Sequence, residues 1–156
     1  MNKQNKRILE AIEKWKKHPY FCNRKVQKRL IKIAKEVKPI KILNRYVWIV
    51  KHYLLKDKLA IRPFGLIFIS EKIPKEFRDV VVKHEIAEEK YEHLFSRREA
   101  HKRAIEEEIK YAKKKGKLKK GLEFLKKRYP EAYKERIKIL QQSENKNKQK
   151  IINFFS

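Results

Sequence analysis

With 156 residues, 44 Lys and Arg against 19 Asp and Glu, and a formal charge of +25, the chain is strongly basic and long enough for one hydrophobic core. Its 41% apolar content, including 8 Phe, 7 Tyr and 2 Trp, excludes wholesale disorder. Cys22 is the single cysteine, which excludes disulfides and cysteine-based zinc sites and leaves His and carboxylate as metal ligands.

The basic N-terminus is not followed by an apolar stretch and a small-residue cleavage site, so no secretory leader is expected. No window approaches roughly 18 uncharged apolar residues, so no membrane span is expected either. A cytoplasmic location is the expectation. Ile8, Leu9, Ile12 and Trp15 recur at helical spacing and predict an amphipathic helix over 6–17, ended by His18-Pro19-Tyr20. Val26, Leu30, Ile31, Ile33, Ala34 and Val37 predict a second helix, stopped by Pro39. Its cations Arg24, Lys25, Lys28, Arg29 and Lys32 are candidate nucleic-acid contacts, and a merely solvated face is the alternative.

Residues 40–70 change character. The β-branched and aromatic runs Tyr46–Val50 and Tyr53-Leu54-Leu55 predict strands, as does the short Leu59-Ala60-Ile61, with turns at Lys56-Asp57-Lys58 and Arg62–Gly65. Leu66–Ile69 reads as the last strand of a small, mainly antiparallel, roughly three-stranded sheet. His52, inside a predicted strand, has no partner at ligand spacing and reads as structural. Pro74 opens a third helix, with Glu76 and Asp79 in its first turn, where the helix dipole favours acids. Ser96 is the predicted N-cap of a fourth helix over 97–115, with Glu99 at the capping-box position and Gly116 at its end. Residues 118–129 and 131–142 predict one more helix or a pair broken at Pro130. The organisation expected is a single α+β domain over 1–142: a basic helical pair (1–38), a small sheet (40–70) and helices (74–142). A frayed polar tail, 143–156, would end in apolar residues that dock back or meet a partner.

Ten of the 19 acidic residues lie between Pro74 and Glu108, against the charge of the rest of the chain. Within that stretch His84 and Glu88 are four apart, hence on one helix face. This is the spacing at which a helix presents two metal ligands, with Glu85 beside them as a candidate general base. A catalytic ion needs a third protein ligand. His101 is the leading candidate, because the short loop at Leu94-Phe95-Ser96 lets the fourth helix fold back antiparallel on the third. Glu108, two turns along from His101, is a supporting or alternative ligand, and Glu99 a substitute. Glu- and Lys-rich helices also produce such spacings as solvated ion pairs. Against that, Phe77, Val80 and Val81 precede His84 on the face expected to meet the core, where a polar group needs a partner or a metal.

The run Gly65–Glu88, GLIFISEKIPKEFRDVVVKHEIAE, with Glu99-Ala100-His101-Lys102-Arg103-Ala104 downstream, resembles the active-site strand, turn and helices of minimal zincin metallopeptidases of the ImmA/IrrE-like group. The resemblance covers about residues 65–108. It implies a zincin-like fold, zinc, a peptide or protein substrate, His84 as first ligand and Glu85 as base. The sequence departs from that family's His-Glu-x-x-His motif at Glu88. A carboxylate there keeps a metal, shifts the preference towards manganese or iron, or marks an inactive zincin-like domain with a regulatory or interaction role. The rival reading is a basic nucleic-acid-binding module whose acidic cluster knits helices together. The metal reading carries a geometric demand: His84, Glu88 and His101 must converge to about 3–4 Å, as ligation at about 2.0–2.2 Å requires. Beside them, an open edge of the strand Leu66–Ile69 should be free to hold an extended peptide.

Overall fold

The computed structural model describes residues 1–17, 23–56 and 58–155. His18-Pro19-Tyr20, Cys22 and Asp57 lie outside them. Among the described residues the chain is α+β, with six α-helices and one four-stranded mixed sheet. It divides into two compact units, Met1–Glu85 and Ile86–Ser156. No helix among the described residues is long and apolar enough to cross a membrane.

The first unit opens with α1 (Lys3–Trp15) and α2 (Arg24–Glu36), capped by Asn2 and Asn23, whose side chains accept from the Asn5 and Lys25 amides. Their apolar stripes meet in a core of Ile8, Ile12, Leu30, Ile33 and Ala34 with Trp48, Val50, Leu55, Leu66 and Phe68. Asn5 sits buried in that core with its polar atoms matched. Its amide donates to the Ala34 and Val37 carbonyls at 2.8 and 2.6 Å, and its oxygen accepts from Trp48 Nε1 at 2.8 Å. One side chain thus ties α1 to the end of α2 and to the sheet.

The strands are β1 (Ile40–Ile42), β2 (Arg45–Val50), β3 (Ala60–Ile61) and β4 (Ile67–Ser70), in the order β1-β2-β4-β3. β1 and β2 form an antiparallel hairpin through Leu43-Asn44, both with positive φ (47° and 65°), the conformation of a type I′ turn. β2 and β4 are parallel, pairing Val47 with Ile67 through Val50 with Ser70. The sheet is therefore mixed and one strand larger than the sequence suggests. Residues 51–66 are long enough to carry the chain across and return it in the same direction, which a hairpin cannot do. Tyr53-Leu54-Leu55 is no strand: His52–Leu55 is a 3-10 turn that puts Leu55 in the core, and Lys56 leaves it with φ of 49°. All four β4 residues are buried, and β3 covers the edge that β2 leaves open. β4 is thus an inner strand, and the free peptide-binding edge expected beside Leu66–Ile69 does not exist.

A 3-10 turn at Lys75–Phe77 leads into α3 (Arg78–Glu92), a continuous helix within which the division between the units falls. The second unit continues with α4 (Arg97–Lys114), α5 (Leu118–Arg128) and α6 (Pro130–Phe155). Ser96 caps α4 by accepting from the Glu99 amide, as predicted, and Gly116 follows its end with φ of 68°. Ala100, Ala104, Ile105, Ile109 and Ala112 form the buried stripe of α4. Pro130 starts α6, where its missing N–H removes no helical bond. Residues 143–155, expected as a frayed tail, continue α6, and Ile151, Ile152 and Phe154 are exposed along it.

Candidate metal centre

α3 carries His84, Glu85 and Glu88 at its middle. His84 and Glu85 are buried, at 6% and 8% exposure, and Glu88 is half-buried. Helical geometry sets His84 and Glu88 one turn apart on the same face. The Ser96 cap starts α4 so that His101 enters its second turn with the ring towards Glu88: His101 Nδ1 lies 2.7 Å from Glu88 Oε2. One ligand atom from each of His84, Glu88 and His101 lies within 4.8 Å of the other two. That bound is looser than the 3–4 Å expected of a ligated set.

The donor chemistry fits a divalent metal. Two imidazoles and one carboxylate form the His₂Glu set of several catalytic zinc sites, and also the two-histidine, one-carboxylate set that suits iron. The fifth-position carboxylate thus changes the order of the ligands along the chain and leaves the set itself intact. The 2.7 Å contact between His101 Nδ1 and Glu88 Oε2 leaves no room for an ion between those two atoms, so holding one there would require their side chains to move apart.

The second nitrogen of His101 is also held. Nε2 lies 3.1 Å from Glu135 Oε2 on α6, so the ring is clamped between two carboxylates. Carboxylates only accept, so any hydrogen bond in either contact is donated by a ring N–H of His101. This is the outer-shell arrangement that fixes the tautomer and orientation of a metal-ligating histidine. Glu135 in turn lies 3.6 Å from Arg136 Nη1. Arg136, 4% exposed, binds Glu108 with two bonds at 2.8 and 3.0 Å. Glu108 is therefore engaged in a buried fork with Arg136, and the ligand cluster does not include it. Glu99, the other substitute, pairs with Arg103 at 3.1 Å along α4.

Glu85, the candidate base, lies on the helix beside His84. Its Oε2 is 3.5 Å from Arg62 Nε, in a pair whose side chains are 11% and 9% exposed. Arg62 directly precedes Pro63 in the connection to β4, and the sequence reads it only as part of a turn. On the far side of the cluster, the Tyr91 hydroxyl donates a short hydrogen bond to Glu107. That bond, burial and the Glu107 charge raise the Tyr91 pKa above its ordinary value of 10.0. Lys90 also approaches Glu107, at 3.6 Å. Glu88 reaches His101 and Tyr91 reaches Glu107, so contacts move forward along α4 as α3 advances. An antiparallel hairpin gives the reverse order, so these contacts do not follow the antiparallel packing expected.

The fold brings one ligand atom each of His84, Glu88 and His101 within 4.8 Å, a looser set than the convergence expected, and the sequence misses the residues around them. Glu135 looks like one more exposed charge on a Lys- and Glu-rich helix. Arg136 carried a readable signal, since it falls among Ala132, Tyr133, Ile139 and Leu140 on the apolar side of α6. The nucleic-acid candidates all lie on α2, with Arg24, Lys25, Lys28 and Lys32 exposed and Arg29 half-buried. Compared with known proteins, the chain matches no family model, no curated protein and no solved structure.

Proposed function

We propose that the chain is a metal-dependent hydrolase of zincin-like type, with His84, Glu88 and His101 as metal ligands and Glu85 as general base. The observation that carries the reading is the convergence of a two-histidine, one-carboxylate set on α3 and α4. Zinc is the first expectation, and the carboxylate at Glu88 keeps manganese and iron in play. When bound, such an ion would bring the pKa of a coordinated water down to about 7. In this reading Glu85, one residue from His84, would take the proton of that water on its carboxylate. Arg62 holds the Glu85 side chain in position through Oε2. With an ion bound at Nδ1 of His101, Nε2–H would donate to Glu135, which would hold the ring in place.

A peptide substrate rests on the resemblance of residues 65–108 to the minimal zincin peptidases. The inner position of β4 gives it no support, so any extended substrate must bind elsewhere. The test is metal content and hydrolysis measured on one preparation purified without chelator. About one equivalent of divalent metal is expected in the wild type and in Glu85→Gln, with peptide hydrolysis lost only in the latter. A Glu85→Gln protein that loses the metal assigns Glu85 a ligand or structural role. A metal-loaded wild type that cleaves no bond in a broad peptide mixture contradicts the hydrolase reading.

A further inference from the structure

The first 70 residues carry 19 Lys and Arg against only Glu10, Glu13, Glu36 and Asp57, and much of this charge is ordered on one helix. α2 turns Leu30, Ile33 and Ala34 into the core and leaves Lys25, Lys28, Lys32 and Lys35 exposed along the opposite side. Their spacing of three or four residues makes a single straight row, about 15 Å long at a rise of about 1.5 Å per residue. The Asn23 cap fixes the start of the row, and Glu36 closes it. Midway, Lys32 Nζ reaches the Tyr53 hydroxyl at 3.5 Å. Tyr53 stands on the 3-10 turn after β2 with 53% of its surface exposed, backed edge-on by the His52 ring at 6.3 Å.

We propose that the Lys25–Lys35 face of α2, with Tyr53 beside it, binds single-stranded nucleic acid. A line of ammonium groups tracks a phosphate backbone, and an exposed aromatic ring offers a face on which an unpaired base stacks; together they form a single-strand platform. The length of the row matches about four nucleotides, the lower end of the usual site size. A duplex uses the charge but not the ring, because its bases are already stacked. An anionic membrane is the poorer match: a helix lying in a lipid interface needs an apolar face to insert, and that of α2 is buried in the core.

The experiment is fluorescence anisotropy of the full chain with a labelled oligothymidylate of about 12 nucleotides and with a duplex of equal length. The wild type binds the single strand with a log–log salt slope of about −3, as four neutralised phosphates require. Neutralising the row with Lys28→Gln and Lys32→Gln weakens binding at least tenfold and reduces the slope by about 1. The same charge change at Lys113→Gln and Lys114→Gln, exposed at the end of α4, alters affinity less than threefold. Tyr53→Ala lowers single-strand affinity about fivefold or more and leaves the duplex unchanged. Equal losses from the two lysine pairs mean that a diffuse field does the binding and overturn the proposal. So does a Tyr53→Ala protein that loses nothing, or that loses single strand and duplex alike. All substituted positions are exposed, and circular dichroism identical to wild type confirms that each variant is folded.

Discussion

At the scale of single residues, the candidate centre depends on groups that do not look functional in the sequence. His84, Glu88 and His101 are legible because helical periodicity alone places two of them together, and a short capped loop returns the third. Glu135 is not legible: its contact with His101 spans 34 residues and depends on how α6 packs against α4. Glu135→Gln should retain the fold and weaken metal binding about 10- to 100-fold, since the ligand histidine loses its orienting carboxylate. Competition with a chromophoric chelator would measure this, and unchanged affinity would reduce Glu135 to a surface ion pair. Tyr91 offers a test by pH. Its pKa is raised by the bond to Glu107, so the folded state holds the phenolic proton more tightly than the unfolded chain. The contribution to stability is intact below the ordinary pKa of 10.0 and is lost as pH rises through the higher folded-state value. In ultraviolet titration one phenol should ionise later than its ordinary value, and Glu107→Gln should bring it back towards 10.0. A Glu107→Gln profile identical to wild type would remove Glu107 as the cause.

At the scale of elements, helices with strong apolar periodicity and clear caps were the readable part. α1, α2 and α4 fall close to where Ile8, Leu30 and Ser96 indicate, because their signals are local. The sheet was harder. Whether two strands pair parallel or antiparallel is decided by the connection between them, and residues 51–66 mix strand-like residues with a 3-10 turn. Tyr53-Leu54-Leu55 has strand composition, yet Leu55 reaches the core only when the chain turns there. The β1–β2 hairpin went unread because a type I′ turn prefers Asn-Gly, and this chain uses Leu43-Asn44. Leu43, with φ of 47° and 40% exposed, adopts a conformation that a leucine side chain disfavours. Leu43→Asn should therefore raise stability by about 0.5–1 kcal/mol. Urea denaturation would show it as a higher midpoint with unchanged slope. A lower midpoint would mean that Leu43 packing outweighs the backbone preference.

At the scale of the whole molecule, apolar periodicity and β-branched runs indicated the α+β chain that is found, and no helix among the described residues is long and apolar enough to cross a membrane. The charge is distributed unevenly along the chain. The first 70 residues are almost free of acids, whereas α3 and α4 concentrate them. The positive field that the α2 proposal invokes would raise the encounter rate of any acidic ligand. In the acidic stretch, three carboxylates outside the candidate ligand set are paired with arginines: Glu108 with Arg136, Glu99 with Arg103 and Glu85 with Arg62. What stands out against that background is a cluster of two histidines and one carboxylate, and the account rests on it. Isothermal titration of zinc into metal-stripped protein tests it most directly. The account predicts one site per chain, abolished alike by His84→Ala, Glu88→Ala and His101→Ala, and untouched by His93→Ala at the exposed turn after α3. Stoichiometric binding that survives all three ligand substitutions, or a wild type that binds no zinc, manganese or iron, would contradict it.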